Sequence, residues 1–165
     1  MTTFGARPGR FVLPALCLFL LPALFPGAAA AQEGDVRGIN WVEYSEGLAQ
    51  GRDLGKPLFI HFTAAWCHWC KKMQKETYTD PEVIRYLTEN FAAVTIDTEK
   101  LPALAGKYGV KSLPTLWFVD AQGKGLTSIQ GYVGPEKLRR VLEYVSTKAY
   151  EDVDYQTWVR KHPSR

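Results

Sequence analysis

Cys67 and Cys70 are separated by two residues in the run Trp66-Cys67-His68-Trp69-Cys70-Lys71. Two thiols at that spacing, at the start of a helix, can close a small disulfide loop and open it again with little rearrangement. The unpaired N–H groups and the dipole of a helix N-terminus favour an anion there. They lower the first thiol's pKa from roughly 8.5 towards about 3.5–7.5, so a usable fraction is thiolate at neutral pH. Cys67 is then the group that attacks a partner's disulfide. Cys70, one turn on and less exposed, resolves the mixed disulfide by attacking Cys67. Other uses of the pair fit less well. Zinc wants four ligands, yet no second C-x-x-C follows and the histidines are His61, His68 and His162, so no metal is expected. Haem attachment needs a histidine directly after the second cysteine, where Lys71 stands. A purely structural bridge over so short a loop removes little unfolded-state entropy.

The elements that must position this pair read as alternating strands and helices. Asn40 is placed to cap a helix from Trp41 to Gln50, with Trp41, Tyr44 and Leu48 on one face and Gly51, Gly55 and Pro57 ending it. Leu58 to Thr63 is a continuous apolar run, too short for a helix, and reads as a buried strand. A helix begins at Cys67. Asp80-Pro81-Glu82 supplies a second start, an N-cap with Pro behind it, for a helix to about Glu89. Phe91 to Asp97 reads as a strand, Leu101 to Tyr108 as a short helix stopped by Gly109, and Thr115 to Val119 as a second buried strand. The turn at Asp120 to Gly125 returns the chain antiparallel over Leu126 to Gln130. A last helix opens at Gly134-Pro135, with Leu138, Val141, Leu142 and Val145 on its apolar face. The tail from Tyr150 to Arg165 is polar with Tyr155, Trp158 and Val159 interspersed, a pattern compatible with a short packed helix or a loose end.

Composition narrows the setting. A chain of 165 residues, 46% hydrophobic and 22% charged, is long enough for one domain with its own core and is not disordered by composition. A net charge of +3 without blocks of like charge gives no reason to expect nucleic acid. Arg7 and Arg10 precede an apolar run, Phe11 to Phe25, that is interrupted by Pro14 and Pro22 and falls short of the about 20 residues a membrane span needs. The small-residue stretch Gly27 to Ala31 follows, so residues 1–31 read as a signal peptide cleaved after Ala31. Cleavage removes Cys17, leaving Cys67 and Cys70 as the cysteines of an exported chain. Residues 32–40 then form a linker, 41–149 the domain and 150–165 a tail.

On these residues the chain resembles the thioredoxin family. The strand Leu58 to Thr63 feeds Trp66-Cys67-His68-Trp69-Cys70-Lys71; Val94-Thr95-Ile96-Asp97 follows, then Lys107-Tyr108-Gly109-Val110-Lys111-Ser112-Leu113-Pro114-Thr115-Leu116, then Gly131-Tyr132 and the final helix. One C-x-x-C is a weak signal; with the Tyr-Gly-Val-x-x-x-Pro-Thr segment at the expected distance it becomes strong. Within the family, Trp-Cys-His-Trp-Cys-Lys-Lys-Met followed by Asp80-Pro81 and a helix looks most like exported members, among them the C-terminal domains of membrane electron-transfer proteins that keep periplasmic thiols reduced.

The resemblance implies an α/β thioredoxin fold: one domain, with a central mixed β-sheet flanked by helices. It implies a thiol–disulfide oxidoreductase without a bound cofactor, monomeric and periplasmic. Its substrates would be disulfide-bearing exported proteins, and its electrons would come from a membrane-embedded or soluble redox partner. Pro114 corresponds to the family's cis-proline beside the cysteines, leaving the Leu113 backbone free to pair with an extended substrate segment. Trp66 corresponds to the residue that shields one side of the dithiol, and Trp69 to packing or docking surface. Two positions depart from the family. His61 stands where a buried carboxylate usually relays the resolving thiol's proton, with Ala93 in place of its lysine partner. An imidazole there could take the proton from Cys70. His68-Trp69 replaces Gly-Pro between the cysteines, and a protonated His68 could stabilise the Cys67 thiolate. The competing function class is a non-catalytic client-binding or chaperone-like module that presents Leu113-Pro114 and the aromatic rim.

Overall fold

Leu58 to Thr63 forms a strand buried along nearly its whole length, and the rest of the molecule is arranged to cover it. The computed structural model describes residues 38–163, together with 1–3 and 5; the expected signal peptide, its cleavage point after Ala31, Cys17 and most of the 32–40 linker lie outside the described residues. The elements run β1 (Trp41–Val42), α1 (Tyr44–Leu54), β2 (Leu58–Thr63), α2 (His68–Glu76), α3 (Pro81–Asn90), β3 (Ala92–Asp97), α4 (Pro102–Lys107), β4 (Thr115–Val119), β5 (Gly125–Gln130), α5 (Pro135–Ser146), a 3-10 turn (Ala149–Glu151) and α6 (Tyr155–Lys161). The sheet order is β1-β3-β2-β4-β5. β3 runs parallel to β1 and β2, whereas β4 is antiparallel to both β2 and β5. This is the mixed sheet expected of the thioredoxin fold.

The pleat of β2 divides the core in two. Leu58, Ile60 and Phe62 point to one face with Val94, Ile96 and Val119, and Tyr44 and Leu48 of α1 and Leu104 of α4 pack there. Phe59 points to the other with Leu116 and Phe118, under Met73 of α2, Val83 and Leu87 of α3, and Leu138 and Leu142 of α5. His61 shares this second face by the same alternation. The helix starts behave as their sequences suggest: Asp80 caps α3 with its carboxylate on the N–H groups of Glu82 and Val83, and Pro81 and Pro135 begin α3 and α5.

The helix expected from Trp41 to Gln50 is corrected at both ends. Trp41 and Val42 pair in parallel with Ala93 and Val94 as an edge strand, so Asn40 caps nothing and α1 starts at Tyr44. At the other end Gly51 does not break the helix. It is buried, and a Cβ there would lie 2.6 Å from Leu58 Cδ1, so glycine is what lets α1 approach β2. The helix stops at Gly55, whose φ of 66° is the left-handed C-terminal conformation.

The tail packs. Trp158 of α6 is buried against Tyr144 of α5, with ring centroids 5.6 Å apart, and stacks on His162. Arg140 donates to the carbonyls of Val159 and His162, and Tyr144 donates to the carbonyl of Val153 at 2.6 Å. Trp158→Ala should lower unfolding free energy by about 3 kcal/mol in urea titrations; a loss under about 1 kcal/mol would mean the tail contributes little to the domain.

Candidate active site

The chain leaves β2 at Thr63, turns through Ala64 and Trp66, and enters α2 with Cys67 as its N-cap. Cys67 and Cys70 form a disulfide with Cα atoms 5.3 Å apart. Cys67 Sγ accepts the Cys70 backbone N–H at 3.1 Å, in the position an oxygen cap would take. Both cysteines are almost wholly buried, at 2% and 1% exposure, so the expected contrast between an open Cys67 and a hidden Cys70 is absent in this disulfide form. Ala64 and Leu113 close over them.

Leu113 packs against the pair, and the Leu113–Pro114 peptide bond that follows it is cis. The Pro114 carbonyl accepts the N–H of Gly131, and Thr115 Oγ1 donates to the Ser112 carbonyl, so the loop is tied on both sides. Neither backbone polar group of Leu113 pairs with another main-chain group among the described residues. Trp66 is 67% exposed and Trp69 51% exposed, so neither is core packing. Trp69 lies against the rings of His68 and Tyr132, and Lys72 Nζ sits 5.6 Å and 5.1 Å from the Trp69 and Tyr132 ring centres. Tyr132 donates to Glu76 at 2.7 Å. Trp66, Trp69, Leu113 and Tyr132 form the apolar rim of this face, with Leu113 against the cysteines and Tyr132 against Trp69. Sequence reading took Tyr132 as a family marker and did not foresee its place in the rim, because it arrives from a distant loop.

His61 is 2% exposed on the sheet face that α2 covers, beside Thr95 of β3 and Leu116 of β4. Ala93, which stands in place of the family's lysine, is in register with Phe59, and the residue in register with His61 is Thr95. Trp41 and Tyr78 place their rings 6.1 Å and 5.2 Å from the imidazole. Burial pushes the His61 pKa down to about 4. Gln74, one turn beyond Cys70 on α2, lines the same cleft as His61. The Gln74 position follows from helical spacing, but Tyr78, beyond the end of α2, had no such signal. Among the described residues no group of three or more His, Cys, Asp or Glu side chains is placed to hold a metal ion.

The thioredoxin-like domain model matches residues 44–146, well over half of the chain. The chain belongs to the thioredoxin-like family. The thiol:disulfide interchange protein DsbD of Salmonella typhi is 37% identical over 103 residues, covering 60% of this chain and 18% of that protein. The chain spans about a fifth of the length of the curated relatives it matches. The solved structure of the DsbH oxidoreductase superposes with a TM-score of 0.58 at 27% identity, covering 67% of this chain and 85% of that one. The C-terminal domain of Neisseria meningitidis DsbD, in its reduced form, gives 0.50 at 26% identity, covering 60% and 94%. This thioredoxin-like domain is therefore related to the C-terminal domain of DsbD and carries the dithiol pair at the helix start.

The buried imidazole makes stability pH-dependent. His61 titrates near 4 when folded and near 6.5 when unfolded, so between these values the unfolded chain binds the extra proton. Its contribution is complete above about pH 6.5 and is lost as pH falls towards 4, a change of roughly 3 kcal/mol. Urea unfolding of wild type and His61→Leu across this window should show the excess loss in wild type alone. Parallel pH curves for the two proteins would contradict it.

Proposed function

We propose that the chain is an exported thiol–disulfide oxidoreductase that reduces or exchanges disulfides of exported proteins through Cys67 and Cys70. The observation that carries this reading is the sulfur cap. Cys67 Sγ accepts an N–H at the start of α2, so on reduction the same N–H and the helix dipole favour its thiolate. The cis Leu113–Pro114 loop lies against the pair with the Leu113 backbone available to an extended segment, and the exposed Trp66 and Trp69 give that segment an apolar flank.

The chemistry then runs in two displacements. The Cys67 thiolate attacks one sulfur of a client disulfide, and the other client sulfur leaves. Cys70 next attacks Cys67 Sγ, which releases the client reduced and leaves the pair as the disulfide seen here. His61, neutral because burial disfavours its cation, takes the proton of Cys70; the thiolate forming on the adjacent helix offsets part of that desolvation. Electrons return from a redox partner, membrane-embedded or soluble, with no bound cofactor. The likeness to DsbD supports the reductive direction and, with residues 1–31 read from their sequence as a signal peptide, a periplasmic setting; the domain would act as a monomer.

A second reading, a client-binding module in which the dithiol is incidental, draws on the exposed Trp66 and Trp69. Insulin reduction separates the two. Wild type should be active, Cys67→Ser and Cys70→Ser should fall to background, and Cys70→Ser should accumulate a mixed disulfide with its client. A wild type that binds clients but reduces nothing would favour the module. A reduction potential near −270 mV would fit a reductase, whereas one near about −120 mV would fit an oxidant.

A further inference from the structure

Two buried side-chain polar atoms among the described residues have no hydrogen-bond partner in the protein, and they belong to neighbouring residues: His61 Nε2 and Tyr78 Oη. Their rings meet edge to face at 5.2 Å. Both residues line one open cleft of about 420 Å³, completed by Gly38, Ile39, Trp41, Gln74 and Thr95. Buried polar atoms are paired with protein or with ordered water. This cleft is far larger than the roughly 30 Å³ share of one water and is open to solvent along Gln74 and Thr95, both exposed; His61 Nε2 and Tyr78 Oη lie sealed at its inner wall, so a water reaches them when the side chains over them give way. The cleft also reaches α2 at the right place. Gln74 follows Cys70 by one helical turn, so the helix face that closes one wall of the cleft is the face that carries the resolving thiol.

We propose that Tyr78 is a positioning residue for proton transfer at Cys70: its hydroxyl and His61 Nε2 hold water in this cleft, and the proton leaving Cys70 crosses them to solvent past Gln74. The proposal rests on the reading of Cys70 as the resolving thiol and of His61 as its base, and adds the route and a new participant. In the resolving step Cys70 S–H gives its proton to His61. The Cys70 sulfur bonds to Cys67 Sγ, the bond from Cys67 to the client sulfur breaks, and the client leaves as a thiolate with that electron pair. The cysteine pair is oxidised and the client reduced. The imidazolium returns its proton through the Tyr78-bound water to solvent, from which the client thiolate is protonated.

The surroundings leave Tyr78 as the fitting partner. Trp41 of β1, Thr95 of β3, Leu116 of β4 and Gln74 of α2 surround the imidazole with groups that do not titrate; the titratable neighbour is Tyr78. Burial holds the Tyr78 phenol well above its ordinary value, so it stays neutral and can donate and accept at once.

Reaction of the reduced protein with dithiobis(nitrobenzoate) tests this directly. One coloured thiolate is released when Cys67 attacks, and a second when Cys70 resolves. Tyr78→Phe keeps the ring and removes the hydroxyl. It should leave the first release unchanged and slow the second about tenfold near neutral pH, with the deficit shrinking towards pH 9 as hydroxide replaces the relay. Gln74→Leu, at an exposed position, should slow the second release in the same way by closing the cleft with an apolar side chain, and it decides the matter if Tyr78→Phe does not fold. Second release at wild-type speed from about pH 6 to about pH 9 in the variants that fold would overturn the proposal. His61→Ala in the same assay tells the two levels apart. If it is slow while the other variants are not, the Tyr78 route alone falls; if it too is unchanged, the His61 relay falls with it.

Discussion

Strand β2 has no solvent side, so each group on it must be covered or paired by something else in the molecule. Its main-chain groups are paired by β3 and β4, and Leu58, Phe59, Ile60 and Phe62 are fully covered by helices from two layers. The end of the strand is thereby held still, and the turn that follows delivers Cys67 to the first turn of α2. A sulfur that caps a helix needs an anchor of this kind. The exception in the strand is His61, a polar ring placed where the neighbours are Trp41, Phe59 and Tyr78. Desolvation alone would argue for an apolar residue there.

The two sides of the domain serve different ends. Under α1 and α4 the packing is dry and close, with Gly51 letting a helix approach the sheet. Under α2, α3 and α5 the core is larger and richer in rings, and at its β1 edge it opens, exposing Thr95 in mid-strand beside the buried imidazole. The dithiol lies over this second side. α6 extends the same side past the end of the family match at residue 146, with Trp158 covering the ring of Tyr144.

Much of this was legible in residue order because it depends on local rules. The apolar run of β2, the Asp80-Pro81 start, the Pro135 start and the face Leu138, Val141, Leu142 and Val145 each express a backbone preference or a periodicity, and all four appear as read. Trp41 was misread because the three-and-four spacing of Trp41, Tyr44 and Leu48 is helical, while the partner that makes Trp41 a strand residue, Ala93, lies about fifty positions on. Gly51 was misread because its lack of a side chain serves packing against Leu58, which spacing alone does not reveal. At the site, Cys67, Cys70 and Pro114 were visible as a spaced pair and a family segment. Tyr78 and the rim position of Tyr132 were not, since both are brought in by the way helices cross the sheet.

The sulfur cap ties two equilibria together. Cys67 Sγ ends α2 at its N-terminus and is also one end of the disulfide. Whatever an anion at Cys67 contributes to holding the first turn of α2 in place, the helix returns to the anion in equal measure, because the two changes close a thermodynamic cycle. Met73, buried beneath α2, and Thr77, whose hydroxyl donates to the Val133 carbonyl at 2.7 Å, fasten that helix from below. Loosening the helix would weaken its hold on a thiolate at Cys67, so packing along α2 would bear on the redox balance of the pair as well as on stability.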